Sequence, residues 1–325
     1  MKKTVLAMAV LGAFAANTAS AEGPTVSGFA DITYTISDDG DDADSKANGS
    51  QFDAEGEIDL TATPADGVTV RIDTDLTISP GGGSADLEQA YLAWGVADNV
   101  TILGGLFNNP VGAEAEDAPD MWGTNHGVVW NLLDHQTVAQ GDNVAGLAGA
   151  FGLGPVSLTV GILNDIRGST DDGDGANSMV AVVNYAPMDG LDLELGHVTQ
   201  EGETVGTHAG NVTNFNVGYT GVEGLAVGLD YLTGSETVDA AIELSAKYTL
   251  PMGLGFGLRL ETVEWADEVG DVEDSERTTF HISYQVASNL TAIVEMADGD
   301  EDNPMTDVTG IAPEGVTTLE LIATF

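Results

Sequence analysis

Polar and apolar residues alternate along most of this chain. Between Val68 and Ile78 the aliphatic residues stand at 68, 70, 72, 76 and 78, while Thr69, Arg71, Asp73, Asp75 and Thr77 are polar or charged. A repeat of two places successive side chains on opposite faces of a strand, so this run predicts a strand with one apolar and one wet face. The same dyad sets Ile58 and Leu60 against Glu57, Asp59 and Thr61. It also sets Ile242 and Leu244 against Glu243 and Ser245, and Leu258 and Leu260 against Arg259 and Glu261. Closing each alternating run at the nearest Gly, Pro, Asn or Asp predicts strands near 25–36, 50–63, 67–78, 84–96, 99–107, 142–152, 155–164 and 177–187. It continues with 190–200, 211–221, 224–233, 237–250, 253–265, 275–286, 289–298 and 315–325, about sixteen in all.

The stretch from Asn143 to Asn164 has the length of a membrane-spanning helix and no charge. Gly146, Gly149, Gly152, Gly154 and Pro155 would break such a helix, whereas two strands joined at Gly152-Leu153-Gly154-Pro155 accommodate every residue. Short connections, as at Ala97-Asp98, Met188-Asp189 and Pro251-Met252, interleave with longer acidic ones. This asymmetry predicts an all-β, antiparallel, up-and-down transmembrane barrel with tight turns at one end and long loops at the other. Closure pairs every backbone group, as lipid requires. A soluble β-sandwich remains the competing architecture.

Aromatic residues sharpen that choice. Trp94, Phe151, Tyr185, Tyr219, Tyr248, Tyr284 and Phe325 fall at the short-turn ends, and Tyr34, Phe107, Tyr231 and Trp265 near the long loops. Trp94, Tyr185, Tyr219, Tyr248, Tyr284 and Phe325 are therefore candidate anchors at the bilayer interface. The chain closes on Leu319, Leu321, Ala323 and Phe325, which resembles the terminal signal of outer-membrane barrels and implies the barrel-assembly machinery as a partner.

Composition and charge add the compartment. Met1-Lys2-Lys3, an apolar run from Thr4 to Ala16 and Ala19-Ser20-Ala21 read as a signal peptide over 1–21, which leaves 22–325 as the barrel, exported through the periplasm to the outer membrane. The absence of cysteine excludes disulfides and thiol chemistry. With 8 Lys+Arg against 53 Asp+Glu, two of the eight lying in the signal, binding to nucleic acid or anionic lipid through a basic surface is disfavoured. The acidic excess is a solvated surface, an attractor for cations, or both.

Candidate chemistry concentrates in the third long connection, 108–141. It carries Glu114, Glu116, Asp117, Asp120 and Asp134 and neither Lys nor Arg. A connection of this length generally has a role of its own. Folded into the lumen, it would narrow the channel and favour cations, making these five carboxylates candidates for a pore constriction. Lying outside, it would be a solvated cap; the apolar Met121-Trp122 and Val128-Val129-Trp130 favour the inward placement. Arg71, Lys247, Arg259 and Arg277 occupy the polar phase of their strands and are expected to face the lumen, either as a basic strip opposite the acidic loop or paired with Asp73, Glu243 or Glu261.

Leu87-Glu88-Gln89-Ala90-Tyr91, Gly105-Leu106-Phe107, Pro110-Val111-Gly112-Ala113-Glu114 and Gly161-Ile162-Leu163-Asn164-Asp165 together resemble the OmpL-like β-barrel porin family. The resemblance covers residues 85 to 165 and implies an outer-membrane channel for the passive diffusion of small hydrophilic solutes or cations. The family usually carries a lysine where this chain has Leu106, so a role for that cation does not carry over. Analogy with general porins adds a homotrimer.

Other chemistry is poorly supported. Asp298, Asp300 and Asp302 begin like a calcium loop, but glycine is missing at the sixth place and Thr309 stands where a bidentate Glu is required. His126, His135, His197, His208 and His281 show no metal spacing, and neither a nucleophile elbow nor a phosphate loop occurs, so no metal, cofactor or catalytic residue is assigned. The functional classes left open are a diffusion channel, a structural or adhesive surface barrel, and a barrel-borne hydrolase.

Overall fold

A computed structural model of the chain describes residues 23–37, 51–79, 82–137, 141–164, 166, 177–200, 209–267, 273–299 and 315–325. The signal segment, His208 and the calcium-like loop beyond Gly299 lie outside the described residues.

The strands are β1 (Thr25–Ser37), β2 (Gln51–Ala65), β3 (Val68–Ser79), β4 (Gly82–Ala97), β5 (Val100–Asn108), β6 (Asn143–Leu153), β7 (Val156–Leu163) and β8 (Ser178–Met188). They continue with β9 (Leu191–Val198), β10 (Val212–Val222), β11 (Leu225–Thr233), β12 (Val238–Thr249), β13 (Leu254–Trp265), β14 (Ser275–Ala287), β15 (Leu290–Gly299) and β16 (Val316–Thr324). Each pairs antiparallel with its sequence neighbours, and β1 pairs with β16, with Phe29 opposite Thr324 and Asp31 opposite Ile322, so the sheet closes as a 16-strand barrel. Observed strand ends fall within two residues of those expected from alternation.

Parity decides the faces. Ile58, Leu60, Ile72, Leu76, Leu244, Leu258, Leu260, Leu319 and Leu321 are exposed on the outside, whereas their neighbours Glu57, Asp73, Glu243, Arg259, Glu261, Thr318 and Glu320 are buried on the inside. Aliphatic side chains left exposed over a whole barrel wall suit a hydrocarbon solvent and would be costly in water. Tight turns close the β2–β3, β6–β7, β8–β9, β10–β11 and β12–β13 pairs. Each has a glycine at φ between 70° and 85°, the left-handed region that a side chain disfavours. At Gly190 a Cβ would also stand 2.6 Å from the backbone N of Gly221, so this turn tolerates no other residue.

The β3–β4 pair departs from strict alternation. Its register shifts, with Asp73 opposite Gln89 but Thr74 opposite Leu87. Glu88 is the extra residue of a bulge, and Glu88 and Gln89 are therefore both buried on the inside although adjacent in sequence.

The connection from β5 to β6 carries structure that alternation did not predict. It contains a 3-10 turn at Ala118–Asp120 and a short helix, α1 (Val128–Asp134). Val128, Val129, Leu132 and Leu133 of α1 are buried with Val144, Leu163, Val198, Val212, Leu232 and Val263. Those strand residues lie at the long-loop ends of their strands, where the inner face turns from polar to apolar. A helix escaped the sequence reading because seven residues hold too few turns to display a period.

Candidate functional site

The segment joining β5 and β6 makes side-chain contacts all round the inner face. Its neck is clasped by Asn109 and Asp142. The Asn109 backbone N–H donates to the Asp142 carbonyl at 2.8 Å and its Nδ2 to Asp142 Oδ1 at 3.1 Å. The Asp142 N–H donates in turn to Asp134 Oδ1 at 2.7 Å. Leaving the neck, the Gly112 N–H donates to Glu194 of β9 at 3.1 Å. Ala118 and Met121 then pack with Phe29, Ile293 and Ile322 on β1, β15 and β16.

The return path is held by charge. Lys247 Nζ donates to the Trp122 carbonyl at 3.3 Å, Arg259 Nη2 to the Asn125 carbonyl at 2.7 Å and Arg277 Nη2 to the His126 carbonyl at 2.5 Å. Carboxylates of the wall take the opposite polarity. Glu295 accepts the N–H groups of Thr124 and Asn125 at 2.9 and 3.2 Å, and Glu261 accepts that of Val128 at 2.8 Å. Each bond satisfies a loop backbone group that would otherwise be buried without water. The Trp122 ring lies 4.4 Å from the His281 ring and 5.0 Å from the Arg259 guanidinium, and Gly257 leaves the space that both rings occupy.

The basic candidates divide into two environments. Arg259 is fully buried and pairs with Glu114 at 3.2 Å and Glu261 at 3.4 Å; Arg277 donates to both oxygens of Glu261. Arg71 stands apart, donating to Asp73 Oδ2 at 2.5 Å and Asp59 Oδ1 at 2.8 Å, with Glu57 at 3.6 Å. Arg259 and Arg277 thus direct their donors to the segment and to Glu261, rather than presenting a strip of free charge.

The five loop carboxylates are likewise dispersed. Glu114 accepts the Gly127 N–H at 2.6 Å and pairs with Arg259. Glu116 packs on Gly141 and accepts from Asn143 Nδ2 at 3.3 Å. Burial and the neighbouring Glu88 carboxylate raise the Glu116 carboxyl far above the usual carboxylate range; burial and the Glu88 charge push Asp117 up to about 6. Asp134 holds the neck. Glu116, Asp117 and Asp134 line a cavity of 320 Å³ with Glu55, Glu57 and Asp75 of the β2–β3 wall. Glu114 and Asp120 line a second, of 170 Å³, that includes Trp122, Asp192, Asp230, Glu243 and Lys247.

The wall carboxylates were not singled out as a group from the sequence. Glu55, Glu57 and Asp59, with Asp73 and Asp75, repeat at the inward phase, and this spacing was the signal available. Only the register of the paired strands shows that β1–β4, with Arg71 as their one basic residue, form a continuous acidic surface. The aromatic candidates Trp94, Tyr185, Tyr219, Tyr248 and Tyr284 lie at the short-turn ends on the outward phase of their strands, and Phe325, one residue past β16, is exposed.

Comparisons with known proteins agree with this geometry. A family model described as Gram-negative porin matches residues 6–315. No curated protein matches the chain. Among solved structures, Salmonella typhi OmpF in complex with daunomycin is similar at a TM-score of 0.71 and 12% identity, over 93% of this chain and 97% of that one. A Rh. blastica porin mutant with two introduced tryptophans is similar at a TM-score of 0.65 and 13% identity, over 93% of this chain and 100% of that one. A protein engineered for asymmetric conductivity is similar at 0.65 and 14%, with the same coverage.

Proposed function

The chain belongs to the Gram-negative porin family, and on that premise we propose that this outer-membrane channel, which is not an enzyme, prefers cations and is narrowed by the segment 108–141. Solutes pass by diffusion through the water-filled lumen of the barrel. The observation that carries the preference is the unequal distribution of charge. Lys247, Arg259 and Arg277 donate to backbone carbonyls of the segment. Across the lumen, Asp31, Glu55, Glu57, Asp59, Asp73, Asp75 and Glu88 face Arg71 alone among the bases of β1–β4. A low-dielectric wall of one sign concentrates counter-ions, so cations enrich beside β1–β4.

The further parts of this reading rest on the sequence. Residues 1–21 are an export signal, and Trp94, Tyr185, Tyr219, Tyr248, Tyr284 and Phe325 anchor the short-turn rim at the membrane interface. The terminal Phe325 addresses the barrel-assembly machinery, the protein assembles as a homotrimer, and the motifs between 85 and 165 set it in the OmpL-like group. Planar-bilayer recording tests the core of the proposal. Stepwise conductance with a reversal potential of cationic sign in a salt gradient is expected; an anionic sign overturns the preference, and silence from correctly inserted protein overturns the channel.

A further inference from the structure

We propose that Glu57, Asp73 and Glu88 form a calcium site in the lumen wall. The assignment rests on reading this wall as the cation-facing side of the channel. The three residues come from three successive strands, β2, β3 and β4, and each offers an oxygen within 4.8 Å of the others. Calcium takes oxygen ligands at about 2.4 Å, so oxygens on opposite sides of one ion stand about 4.8 Å apart. The set therefore fits inside a single coordination sphere.

Burial supplies the second observation. Glu57, Asp73 and Glu88 are 2%, 0% and 1% exposed, yet Glu57 Oε1, Asp73 Oδ1 and Glu88 Oε2 have no hydrogen-bond partner among the described residues. The other oxygen of Asp73 is taken by Arg71, and that of Glu88 by Gln89 Nε2 at 3.1 Å and Asn143 Nδ2 at 3.3 Å. Each of these two carboxylates is thus fixed through one oxygen and leaves the other bare toward its neighbours. Buried carboxylate oxygens without a donor are costly, and a bound cation removes that cost.

The bulge acts in the same direction. Had β4 paired with β3 in regular register, Glu88 and Gln89 could not both point inward; the extra residue aims Glu88 at Asp73 and Glu57. Arg71 and a divalent ion together come within one charge of neutralising Glu57, Asp59, Asp73 and Glu88. The donors are all carboxylate oxygens, which disfavours zinc and copper, and calcium takes such ligands in flexible geometry whereas magnesium demands a strict octahedron and keeps several waters.

Equilibrium dialysis of calcium against the detergent-refolded, chelator-stripped barrel in excess sodium chloride tests the site. Wild type is expected to bind saturably, with a dissociation constant on the order of 10⁻⁴–10⁻³ M, weakened about tenfold or more in Glu88→Gln and in Asp73→Asn. Asp298→Asn, at the edge of the calcium-like sequence, is expected to bind as wild type does. Absence of saturable uptake by wild type overturns the site, as does wild-type uptake by folded Glu88→Gln or Asp73→Asn, or loss of uptake in Asp298→Asn alone. Reversal potentials from the same preparations separate the two levels. Cation preference without calcium uptake overturns the site only, whereas anion preference overturns the reading on which it rests.

Discussion

Glu261 of β13 accepts the Val128 N–H through Oε1 at 2.8 Å and the Arg277 Nε–H through Oε2 at 2.5 Å, so one carboxylate joins the barrel wall to the first turn of α1. Its position beside a helix start is favourable, because the first N–H groups of a helix have no partner of their own. Its burial between Arg259 and Arg277 makes it the centre of the tether.

Glu261→Gln keeps the shape of that side chain and removes its charge, leaving Arg259 and Arg277 short of a counter-ion. Breaking a buried pair in this way costs about 3–5 kcal/mol. The temperature at which the barrel loses its heat-modifiable migration in detergent gels is expected to fall, and single-channel conductance to rise as the segment loosens. An unchanged melting temperature would remove Glu261 from the tether.

Arg71→Gln takes away the one base of the acidic wall. Cation preference is expected to increase, read as a reversal potential displaced toward the cation equilibrium potential. A shift in the opposite direction would place the selective charge elsewhere.

Asp117 titrates above its ordinary value, at about 6, because burial and the Glu88 charge disfavour its ionised form. It is charged at pH 8 and protonated at pH 4. Asp117→Asn should therefore lower cation preference at pH 8 and differ little from wild type at pH 4. The same shift fixes the sign for stability. The raised value favours the folded state below the unfolded carboxylate range, and that contribution is lost as pH rises through 6. Reversal potentials of the two proteins at the two pH values check the first point, and a gap that persists at pH 4 contradicts it.

Gly141 closes the neck at φ 72°, and a Cβ there would stand 1.4 Å from Glu116 Oε1. Gly141→Ala incurs the left-handed backbone cost, about 1–2 kcal/mol, and must also displace Glu116. Lower thermal stability and noisier conductance are expected; a quiet channel of wild-type stability would show that the neck yields easily.

Leu258 and Arg259 are adjacent, yet one is 45% exposed on the outer wall and the other fully buried inside. Leu258→Arg puts a charge into hydrocarbon at a cost of about 2–4 kcal/mol near the bilayer midplane. Folding into lipid vesicles should weaken by that order, whereas folding yields equal to wild type would argue that the outer wall is not lipid-facing.

How much of this was legible in the chain depends on the range of the interaction concerned. The alternation at Val68–Ile78 and the glycine-proline break at Gly154-Pro155 are local, and they determined strand identity, turn positions and the face each side chain takes. The charge imbalance and the absence of cysteine are properties of composition and needed no fold. The bulge at Glu88 was not legible, because whether Glu88 or Gln89 faces inward depends on the register against Asp73, a residue fifteen positions away. The helix at Val128–Asp134 was missed for a related reason: it is stabilised by β11–β13 and by Glu261, which lie more than 90 residues further on.

By itself, then, the sequence determined alternating strands with one apolar face, their turns and a long acidic connection, with a barrel favoured over a sandwich, since period, turn chemistry and charge are all encoded over a few neighbouring residues. Only the tertiary structure decided which charges meet. The register of neighbouring strands sets the carboxylates of β1–β4 side by side, and the closed barrel brings Arg259 and Arg277 to the backbone of the connecting segment. Coulombic and hydrogen-bond partners act across a few ångströms of space, and no spacing along the chain specifies which residues those will be.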